Sequence, residues 1–238
     1  MTILIFSFLF FSAVASGLSA FLFDRQNKKF LKLLLAFSGA YLFAICVLHL
    51  IPEIYISAKS SIGIYILIGF FLQILLEFFS EGIEHGHVHI HKSSEHNFPI
   101  AIMLSLCVHS FLEGMPLAKL NSGSYHSLLV GIILHNIPVA LALATMMIES
   151  NVKKNYVVLM LVIFAAMAPL GALTSFLISD SLLGDISPYF DKIIAVVIGI
   201  FLHISTTILF ESSENHRFNL IKFATILLGA FAAWMFSF

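Results

Sequence analysis

The 238-residue chain is 60% hydrophobic and 11% charged, with a mean hydropathy of +1.02, whereas soluble domains run near ~45–50% apolar and ~25% charged. That excess excludes a soluble globular domain, and 25 Phe beside one Trp and 13 acidic residues exclude disorder, a coiled coil and a secreted disulfide scaffold. A net charge of −1 leaves no basic footprint for nucleic acid.

A hydrocarbon core needs ~20 apolar residues per helix. Eight such runs are legible, at about 2–23, 33–56, 62–83, 98–118, 126–149, 155–179, 192–211 and 218–237. Short polar breaks join them, so residues 1–238 read as a single all-α transmembrane bundle of eight helices. The first run lacks a positive n-region and exceeds the ~7–15 apolar residues of a signal peptide, so it reads as a span. Cys46 and Cys107 lie inside apolar runs and read as small core side chains. The breaks after spans one, three, five and seven hold nine of the 12 Lys and Arg residues and the other breaks three (Lys59, Lys119 and Lys192). Under the positive-inside rule both termini are extracytoplasmic. The compact form suggests a bacterial inner membrane.

Ionisable residues at membrane depth are expensive and mark pathways or sites. In chain order the first are His49 and Glu53, around Pro52 at the outer end of span two. They read either as ligands at the outer mouth or as a solvated helix end. Span three carries Gln73, Glu77 and Glu81 at i, i+4 and i+8, then Glu84. Glu81 and Glu84 suit a solvated helix end, while Glu77 lies deeper, and an acidic way out through Glu77 and Glu81 is the functional alternative. The loop 84–97 follows, with His85, His87, His89, His91 and His96 at alternating spacing. Such a tract has the composition of a flexible metal-binding segment.

Spans four and five carry the sharpest signal. His109 and Glu113 are four apart and so share one helix face. Counted from opposite ends of antiparallel helices, His109 and His135 each lie about ten residues deep, or ~15 Å at ~1.5 Å per residue. Pro116 and Pro138 follow, and a proline frees a carbonyl one turn earlier, that of Leu134 in span five. In a membrane such a broken backbone is tolerated where it lines a cavity or is buried in protein. Two imidazoles and a carboxylate, with Ser110 and Asn136 beside them, suit zinc, iron(II), manganese or cobalt better than calcium. His203 in span seven stands at similar depth beside Ser205, Thr206 and Thr207; a further ligand and an interhelical hydrogen bond are both open readings there.

The stretch His109-Ser110-Phe111-Leu112-Glu113-Gly114 resembles the span-four motif of the ZIP (Zrt/Irt-like) family of divalent metal transporters, and His135-Asn136-Ile137-Pro138 resembles its span-five motif. The resemblance extends over the whole chain, through eight spans, outside termini and a His-rich loop after span three. It implies import of zinc, iron or related ions toward the cytoplasm. It also implies that the first and last three spans form an inverted repeat around spans four and five. The best internal match is Val47-Leu48-His49-Leu50 against Phe201-Leu202-His203-Ile204. Many family members carry a metal-bridging Glu four residues after the span-five ligand and an Asn in the span-four motif. Here Val139 and Ser110 stand instead. Those changes leave one central ion, held by His109, Glu113 and His135, with Asn136 only a weak amide donor for a second.

The expected function is therefore import of a divalent transition metal, zinc first, with the ion as substrate and no organic cofactor. The partners are the metal and the lipid bilayer, not nucleic acid; oligomeric state is open, a homodimer included. Two rivals use the same residues. One is a membrane-embedded zinc hydrolase with His109, His135 and His203 as ligands, leaving the fourth position for water. The other is an exporter.

Overall fold

A computed structural model describes residues 2–22, 28–57, 61–85, 100–119, 124–177, 187–210 and 219–236. Among them all regular structure is helical: α1 (Thr2–Ser19), α2 (Lys28–Ile45), α3 (Ile51–Ser57), α4 (Ile62–Ser80), α5 (Ile100–Gly114), α6 (Ser124–Glu149), α7 (Lys154–Leu177), α8 (Ser187–Phe210) and α9 (Leu220–Met235). α2 and α3 form one continuous rod through a π-helical turn at Cys46–Leu50, so the described residues form a bundle of eight helices. Six are long and apolar enough to cross a membrane, and α1 and α9 are shorter apolar helices. The chain is an all-α polytopic membrane protein.

Local breaks in the helices trace to prolines. The ring of Pro52 would strike the carbonyl of Leu48 in a regular helix, and the wider π turn containing His49 precedes it, closed by the Ile51 N–H donating to the Cys46 carbonyl. Pro116 falls in a 3₁₀ turn, Met115–Lys119, that ends α5. Pro138 and Pro169 sit inside α6 and α7. Beside Pro138, the Ser16 hydroxyl of α1 donates to the Ile137 carbonyl at 2.6 Å.

Outward faces are hydrocarbon. Phe8 and Phe11 of α1, Leu67, Phe71 and Phe78 of α4, and Leu227, Phe231 and Trp234 of α9 are exposed, as side chains in lipid should be. Among the six long helices α6 and α8 are the most enclosed and α4 the least. Two apolar cores stack along the bundle, one around Tyr41, Ile132 and Phe201 and the other around Leu106, Leu143 and Phe164.

Several of the packing partners pair as an inverted repeat would require, although among the described residues α4 packs on α5 without a comparable contact of α9 on α6. Exchanging α1 with α7, α2–α3 with α8, α4 with α9, and α5 with α6 turns one set of helix contacts into another. α4 packs on α8 as α9 packs on α2; α1 packs on α6 as α7 packs on α5. α2 packs on α6 as α8 packs on the 3₁₀ turn that ends α5. The matched segments around His49 and His203 lie on the two rods that the exchange swaps.

Two glycine contacts bring the site-bearing helices close. A Cβ on Gly69 of α4 would fall on the carbonyl oxygen of Val196 in α8, and one on Gly199 would fall on that of Ile66. Gly114 of α5 and Gly171 of α7 meet the carbonyls of Ala168 and Phe111 in the same way. Small residues that let backbones touch drive helix association in lipid, where hydrophobicity gives no preference.

α4 ends with Glu81 and Gly82, both in left-handed conformation, at φ 55° and 73°. That reversal turns the next residues, Ile83–His85, back onto α6 and α8. Glu84, which reads from sequence as a solvated end charge, is fully buried, and its Oε2 accepts from the Ser80 hydroxyl at 2.9 Å. Glu81 stays exposed.

Replacing Gly69 by Ala should force α4 away from α8 and cost about 1–3 kcal/mol, the usual penalty of overpacking. Thermal unfolding in detergent should then fall by several degrees relative to a Gly63→Ala control. Gly63 meets only the Tyr55 hydroxyl, at 3.0 Å. An unchanged melting temperature would mean that the close approach is not essential.

Candidate metal centre

α5 places His109 and Glu113 one turn apart on the same face, and α6 brings His135 against them. The His109 Nε2 lies 2.9 Å from Glu113 Oε1, and His135 Nε2 lies 3.9 Å from the same oxygen. The imidazole rings meet edge to face with centroids 5.9 Å apart. All three side chains are fully buried, and one ligand atom from each lies within 4.8 Å of the others.

The chemistry of these atoms points to a shared cation. Neither oxygen of Glu113 has a hydrogen-bond partner, and the 2.9 Å approach of His109 Nε2 lacks the alignment of a hydrogen bond. A buried carboxylate without partners costs several kcal/mol. Three ligand atoms on one tetrahedral ion with bonds of ~2.1 Å would be about 3.4 Å apart. The two observed separations, 2.9 and 3.9 Å, bracket that value. Small rotations of the side chains would close the set around one divalent ion.

Around the triad, Ser110 and Asn136 are also buried, and the Asn136 Oδ1 has no hydrogen-bond partner. Val139, at the position where the span-five motif of many ZIP proteins carries a bridging carboxylate, is fully buried within an apolar cluster. A second ion beside the first would therefore find neutral oxygens and an isopropyl group.

His203 is not in this group. Its Nε2 lies 3.4 Å from Glu77 Oε2, with side chains 10% and 27% exposed, and its ring meets Phe70 edge to face. The pair sits where α4 packs on α8, toward the end of α4 that leads into the 84–97 loop. His49 and Glu53 are half-buried on the π turn and on α3, and His49 Nε2 and Glu53 Oε2 have no hydrogen-bond partner. The side chain of His85 and the whole of His87, His89, His91 and His96 lie outside the described residues.

Of two further buried polar residues, Gln73 carries no role from sequence and Glu84 reads there as a solvated helix end. Gln73, fully buried on α4, faces the outer edge of His109, with Oε1 3.0 Å from Nδ1. Glu84 is buried behind the reversal at Gly82. The signal for Gln73 was its depth, four residues before Glu77 on the same stripe. Nothing local in the sequence marked Glu84 as turning inward.

Comparison with known proteins agrees with this chemistry. A family model described as "ZIP Zinc transporter" matches residues 96–236, more than half of the chain. Zinc transporter ZIP1 of Danio rerio is 31% identical over 93 residues, which is 38% of this chain and 30% of that protein. Protein zntD of Dictyostelium discoideum is 29% identical over 164 residues, 63% of this chain and 24% of that protein. The chain thus spans between about a quarter and a third of the length of these curated relatives.

Glu113→Gln separates a metal site from a helix-gluing ion pair. With chelator present, the variant should melt at or above the wild-type temperature, because the unpartnered charge is gone. Zinc at a hundredfold excess over Kd should stabilise the wild type by about 2.7 kcal/mol and leave the variant unmoved. A structural ion pair would give the opposite result: a less stable variant in chelator, and no zinc effect in either protein.

Proposed function

The chain belongs to the ZIP zinc transporter family, and from that premise we propose that it carries divalent transition-metal ions, zinc first, across the membrane into the cytoplasm. The observation that supports this most is the buried convergence of His109, Glu113 and His135 within a bundle of apolar helices. A resident structural metal would have no need of a path on either side of it, and this chain supplies polar groups on both.

The bias of Lys and Arg sets the orientation, with the 84–97 loop and the end of α4 in the cytoplasm and both termini outside. An ion comes in past His49 on the wide π turn and Glu53 on α3, where His49 Nε2 and Glu53 Oε2 have no hydrogen-bond partner. It exchanges water for the Nε2 atoms of His109 and His135 and a carboxylate oxygen of Glu113. Ser110, Asn136 and the Leu134 carbonyl freed by Pro138 add neutral oxygens around it. On the way out it meets Glu77 with His203, and then Glu81 at the exposed end of α4. Glu84 adds a buried negative charge on this side. The His-rich loop receives the ion there.

One carboxylate leaves the loaded site with a net positive charge, which favours a held but releasable ion over a permanent one. Protons and metal compete for the same lone pairs, so binding weakens as pH falls. Alternating access by movement of one bundle against the other is the usual solution for midplane sites. The hydrolase reading that takes His203 as the third zinc ligand finds that imidazole facing Glu77 instead.

Uptake into proteoliposomes tests the proposal, with zinc, iron(II), manganese and cadmium offered separately. Wild-type protein should accumulate at least one of them down its gradient, and His109→Ala and Glu113→Ala should reduce uptake to the level of empty vesicles. Metal that binds with the expected residue dependence but never crosses would overturn the transporter reading.

A further inference from the structure

His109 has two ring nitrogens, and only one can face the ion. The neutral imidazole carries its proton on Nδ1 or on Nε2. Ligation through Nε2 requires the proton on Nδ1, and in a buried site that N–H must have an acceptor. The geometry separates the two edges of the ring. At Nδ1, Gln73 Oε1 stands 3.0 Å away in hydrogen-bond alignment. At Nε2, Glu113 Oε1 is closer still, at 2.9 Å, but off the direction an N–H would point. The ring is thus bonded on one edge and merely approached on the other.

Gln73 suits the first edge for three reasons. It is fully buried, so water does not compete for Nδ1. It comes from α4, a different helix from both that carry the triad, held against α8 by the Gly69 and Gly199 contact. Its amide is neutral, so it orients the ring without adding a second negative charge beside Glu113. A carboxylate there would strengthen the hold on a divalent ion and slow its release.

We propose that Gln73 is the positioning residue of the centre: it holds His109 in the Nδ1–H tautomer before any ion arrives, leaving the Nε2 lone pair aimed at the space it shares with Glu113 and His135. This rests on the reading of His109 as a ligand. Metal ligands commonly bond through their second nitrogen to a group that fixes the tautomer, and losing that group costs 10–100-fold in affinity. The helix contact also gives α4 a chemical role at the ion without a ligand of its own. A shift of α4 that broke the Gln73 bond would release the tautomer and weaken the site.

The test uses the full chain in detergent, labelled with ¹⁵N at histidine, with the His109 signals assigned by comparison with His109→Gln. In chelator, wild type should show a protonated Nδ1 and an unprotonated Nε2. Gln73→Leu should invert that pattern, placing the proton on Nε2, and should lower zinc affinity 10–100-fold. Gln73→Glu should restore the Nδ1–H signature and bring affinity to or above wild type while slowing zinc release. That rescue excludes simple loosening of the fold.

Two results would overturn the proposal. One is a metal-free wild type with the proton on Nε2, meaning that the amide presents its nitrogen to His109. The other is a Gln73→Leu protein that keeps both wild-type tautomer and affinity. Failure of the underlying reading looks different: His109→Gln would then bind zinc as well as wild type, whatever the tautomer.

Discussion

Everything in this molecule is arranged around one unfavourable burial. A carboxylate with no hydrogen-bond partner stands between two imidazoles, out of reach of water, in a bundle whose outer faces are hydrocarbon. In lipid or protein interior such a group is costly unless a cation or a proton shares it. On the proposed reading, that cost is what would make the site respond to metal. An empty centre that was already comfortable, with Glu113 tied up by donors, would gain little from an ion and would discriminate weakly between loaded and unloaded states. The lack of donors at Glu113 and the lack of alignment at His109 Nε2 keep three sets of lone pairs directed at a common point.

Holding three such groups within reach of one ion requires a rigid frame, and the frame comes from backbone contact rather than bulky cores. Gly69 against Gly199 and Gly114 against Gly171 bring α4 to α8 and α5 to α7 at distances no side chain would permit. The α4–α8 contact recurs as α9 on α2 and the α1–α6 contact as α7 on α5, and α5 and α6, which carry the triad, meet between them. The polar groups outside the triad then fall into order along α4. Gln73 reaches His109, Glu77 reaches His203 about one turn further on, and Ser80 bonds Glu84 beyond that. A single helix face thus runs from the centre to the end of the bundle.

Much of this is written in the sequence in forms that physical reasoning can read. Apolar runs of membrane length give the helices, and a histidine and carboxylate four apart give one face of α5. Equal depth from opposite ends brings His109 and His135 together. What escaped was set by tertiary contact. Glu84 looks like any charged helix end, and only the left-handed pair Glu81 and Gly82 sends it back into the bundle. His203, equal in depth to the ligands, could not be assigned from depth alone; α8 rotates it toward Glu77 instead. Gln73 was visible as a deep polar residue, but an amide carries no charge to mark it, and its partner lies thirty-six residues away. Depth is a one-dimensional quantity that sequence supplies; rotation about each helix axis is fixed by packing.

The central claim is that one ion is held by two imidazoles and a carboxylate from α5 and α6. Zinc K-edge X-ray absorption on protein loaded with one equivalent tests it most directly, with His85, His87, His89, His91, His96 and His216 replaced by serine to leave only the histidines of the helices. The account predicts a zinc centre with two imidazole nitrogens, oxygen ligands completing the shell, and no second zinc nearby; His135→Ala should remove one imidazole from it. A shell of three imidazoles, or a spectrum unchanged by His135→Ala, would contradict the account.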